Sequence, residues 1–250
     1  MKREFQGKTY WIVGASEGLG RALAKELHQV GANLILSARS QERLDQLCSE
    51  LDGALALPMD VTDPVSVTTA VERAGNVDGI VYCVGLYEPM TAANWQPAEA
   101  EAMCEANFMG AVRILGRTVP GMIARDNGHL VLVGSLAGHR GLPGAIGYGA
   151  SKAALMHLAE TILADTRGTG VSVQVANPGF IRTRLTDKNA FKMPMIMTPE
   201  EASQQVLKHM RGARFRIDFP KPFAWLFTKG KFLPERIFYA IMGGSNGNKV

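Results

Sequence analysis

The chain has 250 residues, a net charge of +4, and 46% hydrophobic against 20% charged residues. That balance supports a large buried core and excludes an intrinsically disordered chain. No run of 18 uncharged apolar residues occurs, which argues against a membrane-spanning helix.

Met1–Phe5 carries no signal-peptide core and leads almost directly into a strand over Thr9–Val13. A helix is expected over 18–30, a strand over Asn33–Ser37 and a helix over 40–51. Ser40 caps that second helix, with Arg43 rather than an acid at the third position. Next come a strand over Ala54–Leu57, a helix over 63–74 and a strand over Gly79–Cys83. One long helix over 97–125 precedes a strand over His129–Gly134, a helix over 147–167 and a strand over Val171–Asn177. Most of these strands are near-continuous apolar runs, as suits strands covered on both faces. Strand–helix alternation of this kind implies a parallel sheet with right-handed crossovers. Thr198-Pro199-Glu200-Glu201 is a capping box opening a helix over Pro199–Arg211. A short strand over Phe215–Asp218 follows, then an aromatic and basic extension over 219–250. No repeat, low-complexity tract or flexible linker interrupts the series, so a single domain over 1–250 is expected.

Cys48, Cys83 and Cys104 are widely spaced and form no Cys-x-x-Cys pair, so no disulfide framework is expected. A reducing cytoplasm is the expected compartment. The five histidines form no ligand cluster, and no metal site is expected.

Two local patterns carry chemistry. Gly14-Ala15-Ser16-Glu17-Gly18-Leu19-Gly20 joins the first strand to the first helix. Glycines at such a turn let backbone approach a pyrophosphate, and the helix N-terminus offers free N–H groups to it. Tyr148 and Lys152 stand one helical turn apart, so the hydroxyl and the ammonium share a face. A nearby ammonium would lower the phenol pKa and make Tyr148 usable as an acid/base. Ser135 ends an apolar strand thirteen residues upstream, at the edge where open α/β sheets hold their ligands.

Gly14, Gly18 and Gly20, Asp60, Asn107, Ser135, Tyr148, Lys152 and the Asn177-Pro178-Gly179 turn with Thr183 occur in one order and at one set of spacings. On these residues the chain resembles the short-chain dehydrogenase/reductase family over about 7–217. The resemblance implies a doubly wound, Rossmann-type α/β fold with about seven strands and helices on both faces. It also implies an oxidoreductase passing a hydride between a nicotinamide and a carbonyl or secondary alcohol. Tyr148 would move the proton, Ser135 would position the substrate oxygen, and Lys152 would lower the Tyr148 pKa and hold the ribose. Asn107 would anchor a water relaying protons to Lys152. Gly14, Ser16, Gly18, Leu19, Gly20, Asp60, Val61, Gly85, Pro178, Gly179, Ile181 and Thr183 would line the cofactor, with Tyr148 and Lys152. Two departures from the family pattern stand out: Val13 where it usually has Thr, and Tyr82-Cys83-Val84-Gly85 where it usually has Asn-Asn-Ala-Gly. They read as a matched repacking, with Cys83 a small buried filler.

The second strand ends without an acid. Arg39 stands where it can pair with a 2′-phosphate, and Ser37 and Ser40 could add hydrogen bonds. NADP(H) is therefore expected in preference to NAD(H). The segment 184–197 would be a substrate lid, its Phe191, Met193, Pro194, Met195, Ile196 and Met197 making an apolar wall. Leu142, Pro143 and His139 would face it, His139 as a solvated loop residue rather than a second acid/base. A hydrophobic carbonyl or alcohol substrate follows. A catalytically silent dinucleotide-binding or membrane-surface adaptor on the same fold is the alternative. The intact Ser135/Tyr148/Lys152 set favours the enzyme.

Residues 208–236 carry eight Lys/Arg against Asp218 and Glu235, and residues 215–239 hold eight aromatics. Pro220, Pro222 and Pro234 break any long helix there. Either the segment covers apolar surface in a homodimer or homotetramer, or Trp225 and Phe227 with Lys229 and Lys231 contact an anionic membrane. The oligomer is preferred because it needs no special partner. In the family oligomers commonly form through the two long helices, and Ala153, Ala154, Leu155, Leu158 and Ala159 would give the second an apolar face. No nucleic-acid groove is evident.

Overall fold

The computed structural model describes residues 2–191 and 193–243. Seven parallel strands form one sheet: β1 (Thr9–Val13), β2 (Asn33–Ser37), β3 (Leu55–Ala56), β4 (Gly79–Tyr82), β5 (Gly128–Val133), β6 (Val171–Pro178) and β7 (Arg216–Phe219). Their spatial order is β3-β2-β1-β4-β5-β6-β7. The winding reverses between β1 and β4, and that switch point opens a crevice at the carboxyl ends of the strands.

The side-chain period of two splits each strand between two cores. Tyr10 and Ile12 of β1 face a core shared with α1 (Gly18–Gln29), α2 (Gln41–Glu50) and a later helix, Pro199–Met210. Trp11 and Val13 face the opposite core, built with α3 (Pro64–Ala74) and with two helices following β4 and β5. Both faces of the sheet are therefore covered, which is why the strands read as unbroken apolar runs.

The long helix expected over 97–125 runs without a gap but changes its hydrogen-bonding pattern once. It is α4 (Pro97–Cys104), a single wide π-turn over Glu105–Met109, and α5 (Gly110–Ala124). A π-turn inserts a residue and leaves carbonyls without helical partners. The Tyr82 hydroxyl donates to the carbonyl of Ala106 within that turn. Gly110 leaves the room it needs, because a β-carbon there would collide with the hydroxyl.

After α6 (Ile146–Asp165) and α7 (Pro199–Met210), the extension folds as two short helices, α8 (Lys221–Thr228) and α9 (Glu235–Gly243). Ser40 and Thr198 cap α2 and α7 as expected, each side chain accepting from the backbone three residues on. The apolar face expected on α6 is narrower than expected. Leu155 and Ala159 are buried in the chain's own core, and only Ala153, Ala154 and Leu158 of the five stay half-exposed. Among the described residues no helix is long and apolar enough to cross a membrane. Residues 244–250 of the extension and the Lys231 side chain lie outside the described residues.

Candidate active site

A cleft of about 1040 Å³ crosses the carboxyl edge of the sheet at the switch point. Its lining includes Gly14, Ser16, Gly18, Leu19, Gly20, Arg39, Asp60, Val61, Gly85, Tyr148, Lys152, Pro178, Gly179, Ile181 and Thr183. Every residue that the resemblance places against a cofactor lies on this one surface.

The cradle is built for close backbone approach. Gly14 has φ +92°, and a β-carbon there would lie 2.9 Å from the Cys83 carbonyl. At Gly20 a β-carbon would collide with the Gly14 carbonyl. Cys83 N donates to the Val13 carbonyl at 2.8 Å, so main chain joins the two strand ends where Val13 and Cys83 replace the usual polar side chains. Burial pushes the Cys83 thiol up to about 11, and it stays protonated.

At the far end of the cleft Arg39 is exposed and, among the described residues, has no ion-pair partner. Ser37 is not available to a ligand there. It is fully buried, and its hydroxyl accepts from the Trp11 indole at 2.8 Å. Ser40 lines the cleft while capping α2. Asp60 lines it too, with its carboxylate accepting from the Thr62 backbone and hydroxyl in a local turn. Arg43, expected only as the third residue of the capped helix, belongs to the site as well. It lines the cleft and pairs with Glu17, which also pairs with Arg184. Its position one turn after the Ser40 cap is the signal that would have found it.

Tyr148 belongs to two cavities. Beyond it lies a chamber of about 120 Å³ lined by Ser135, Leu136, Leu142, Pro143, Tyr87, Leu185, Phe180, Phe191, Phe223 and Phe227, among others. Lys152 and Tyr148 share the cleft, while Ser135 and Tyr148 share the chamber. Burial pushes the Tyr148 phenol above its ordinary value, and the facing Ser135 hydroxyl opposes that rise. The lowering expected from Lys152 is not what this arrangement produces. The Lys152 ammonium donates to the carbonyls of Val84 at 3.0 Å and Val133 at 2.9 Å, and sits 5.9 Å from the Tyr148 ring centroid. Burial brings Lys152 itself down to about 8. Desolvation is the largest cause of both shifts.

Asn107 occupies the π-turn and is fully buried. Its amide exchanges hydrogen bonds with both main-chain groups of Leu86, and also donates to the Ser151 hydroxyl at 3.0 Å. Both amide N–H groups are therefore committed to protein acceptors. The second lone pair of Oδ1 and the carbonyls of the π-turn are what it can offer a water.

The chamber walls are aromatic rather than methionine-rich. Of the six apolar residues expected to make the lid, only Phe191 lines the chamber, packed edge-on against Phe180 at 5.8 Å between ring centroids. Met197 is paired instead with the backbone of Phe180 and Arg182, and Met195 points half-exposed into solvent at φ +52°. Phe223 and Phe227 come from α8, so the extension closes the chamber of its own chain. Phe227 faces inward, contrary to the outward position that membrane contact required, whereas Trp225 is 63% exposed. Leu142 and Pro143 line the wall as expected. His139 does not: its side chain is 5% exposed and bonded to Asp218 at 2.6 Å. Although burial works against its charge, hydrogen bonds from His139 and Asn177 hold the Asp218 carboxyl below the usual range.

Residues 8–193 match the family model for short chain dehydrogenases. An uncharacterized oxidoreductase of Myxococcus xanthus is 33% identical over 95% of this chain and 97% of its own length. The 3-oxoacyl-(acyl-carrier-protein) reductase of Thermotoga maritima is 30% identical over 84% of this chain and 85% of its own. Among solved structures, a serine dehydrogenase complexed with NADP⁺ is similar with a TM-score of 0.77 and 25% identity, over 84% of this chain and 94% of that one.

Proposed function

The chain belongs to the short chain dehydrogenase family, and from that premise we propose that it interconverts a carbonyl and a secondary alcohol on a small hydrophobic substrate, using NADP(H) in preference to NAD(H). The observation that carries this reading is the place of Tyr148, at the junction of a dinucleotide-sized cleft and an aromatic-walled chamber.

The cleft residues suit the cofactor. The glycines leave no side chain where a pyrophosphate would approach, and Arg39 brings an uncompensated guanidinium to the adenosine end. The NADP⁺ complex of the serine dehydrogenase is consistent with that choice. Bound there, a nicotinamide supplies or accepts the hydride.

The chain's own residues do the rest. Tyr148 gives or takes the proton at the substrate oxygen. Ser135, on the chamber side, orients that oxygen by hydrogen bonding. Lys152 holds the ribose side of the cleft and offers a cation that favours the phenolate as its solvation changes. Asn107 fixes Leu86 to α6 and so shapes the floor beside Lys152, where it anchors a relaying water. Leu185, Phe191 and the neighbouring loop over 184–197 act as the lid. Apolar walls exclude water and select hydrophobic substrates.

We place the protein in the cytoplasm, in keeping with its three unpaired cysteines. We assign it as a homodimer or homotetramer that uses α5, α6 and the outward residues of the extension, including Trp225 and Ile237. The basic residues of that extension also suit peripheral contact with an anionic membrane, which is the competing reading. The function is tested by a screen of carbonyls and alcohols with NADPH and NADP⁺, read by nicotinamide absorbance. Turnover of an apolar ketone supports the reading. Dinucleotide binding without turnover on any carbonyl or alcohol favours the silent adaptor.

A further inference from the structure

His139 and Arg140 follow Ser135 by four and five residues, and both reach into the C-terminal segment. The His139 imidazole meets the Asp218 carboxylate at 2.6 Å, with Asn177 donating to the same oxygen at 2.8 Å. Asp218 lies in β7, just before the chain turns into α8. The Arg140 guanidinium donates to the carbonyls of Gly230 at 3.0 Å and Leu233 at 3.1 Å, in the link between α8 and α9. It also stacks 4.1 Å from the ring centroid of Phe238, a fully buried residue of α9. Two adjacent side chains therefore grip the segment at both ends of α8. Between the grips, Phe227 and Ala224 pack with Leu136, the residue next to Ser135.

We propose that His139 and Arg140 are positioning residues, a two-point clasp that fixes α8 as the far wall of the substrate chamber and thereby sets substrate size. Neither residue lines the cofactor cleft or the chamber, so the effect passes through Phe223 and Phe227. A guanidinium bonded to two carbonyls and a half-buried carboxylate holding two hydrogen bonds give a fixed geometry that apolar packing alone leaves adaptable. With the clasp closed, a chamber of about 120 Å³ walled by rings takes a compact, flat, apolar carbonyl such as an aryl ketone.

The size-selecting role rests on the oxidoreductase reading; the fastening of α8 does not, and the experiment separates them. Amide hydrogen exchange is measured over 221–228 and 235–241 in the wild type, His139→Ala, Arg140→Ala and His139→Gln. NADPH affinity is measured by fluorescence, and steady-state kinetics use acetophenone and a bulkier diaryl ketone. Both alanine variants should exchange about tenfold faster in α8. Their KM for acetophenone should rise about tenfold with kcat changed less than threefold, while NADPH affinity stays within twofold. The diaryl ketone should gain relative to acetophenone. His139→Gln retains an N–H toward Asp218 and should recover most of the wild-type values. Unchanged exchange in both alanine variants overturns the clasp. Faster exchange with the same ketone preference as wild type overturns its role in specificity. A wild type that turns over no carbonyl at all counts against the oxidoreductase reading and the size-selecting role together, and exchange still decides the fastening.

Discussion

Tyr82 and Gly110 are matched across the π-turn that carries Asn107. The Tyr82 hydroxyl caps the Ala106 carbonyl, and Gly110 lacks the side chain that would displace it. Tyr82→Phe should orphan a buried carbonyl and cost about 1–3 kcal/mol, read by urea unfolding. Gly110→Ala should cost a similar amount by overpacking, about 1–3 kcal/mol, against both Tyr82 and Val61. Because the two act on one contact, the double variant should lose less than their sum. Full additivity would show that the pair is not coupled.

Tyr148→Phe should lower turnover about 10²–10⁴-fold, the range for loss of a positioned acid/base. NADPH should still bind within a few-fold of wild type, because the phenol hydroxyl is one contact in a cleft made largely of backbone. Stopped turnover with lost binding would instead assign Tyr148 to the cofactor site alone.

Arg39→Ala should weaken NADPH by about 1.5–3 kcal/mol, one charge-assisted contact, and leave NADH nearly unchanged. Arg43→Ala should matter less, because Arg43 already has Glu17 as a partner. Equal losses for both cofactors in Arg39→Ala would remove it from phosphate recognition.

Stability should fall in mild acid. Burial brings His129 down to about 3 in the folded chain, where it bridges the Tyr10 hydroxyl and the Gln174 amide, each at 2.8 Å. An unfolded histidine takes up a proton below about pH 6.5. The unfolded state therefore binds more protons between about pH 6.5 and 3, and stability drops as pH falls through that window. From pH 7 to pH 5 the loss should be about 2 kcal/mol from this residue. His209, also lowered by burial, adds to it in the same direction. His129→Gln should flatten the slope measured by urea unfolding at the two pH values. An unchanged slope would mean His129 is not held neutral.

The assembly is checked by light scattering, with sedimentation on anionic vesicles in parallel. Trp225→Ser with Ile237→Ser should reduce the mass toward monomer and leave vesicle binding at background. A wild type that sediments with vesicles, and a double variant that does not, would reverse the assignment in favour of the membrane.

Much of this was legible because it depends on local pattern. The unbroken apolar strands announced a covered parallel sheet, and the glycine spacing announced the cradle. Residues such as Arg39 and Tyr148 lie where strand ends and a helix start must bring them. What was not legible depends on distant partners. The π-turn needs Tyr82 to meet Ala106, 24 residues away. His139 read as a loop residue until Asp218, 79 residues on, supplied its partner. Ser37 looked available until the Trp11 indole claimed its hydroxyl. The direction of the Tyr148 shift depended on how deeply the phenol is buried, which a spacing of four residues does not encode.

Glu17 sits in the phosphate cradle with a guanidinium on either side, from Arg43 and from Arg184. A single carboxylate offsets only one of those two positive charges, so an incoming phosphate competes with Glu17 for its partners and still meets net positive charge there. Arg39 adds a further positive charge with no carboxylate partner among the described residues, beside the one left over from Arg43 and Arg184. Dinucleotide affinity should therefore weaken with ionic strength about as two ion contacts would, less steeply than three arginines would suggest, and the capture rate should respond to salt just as mildly.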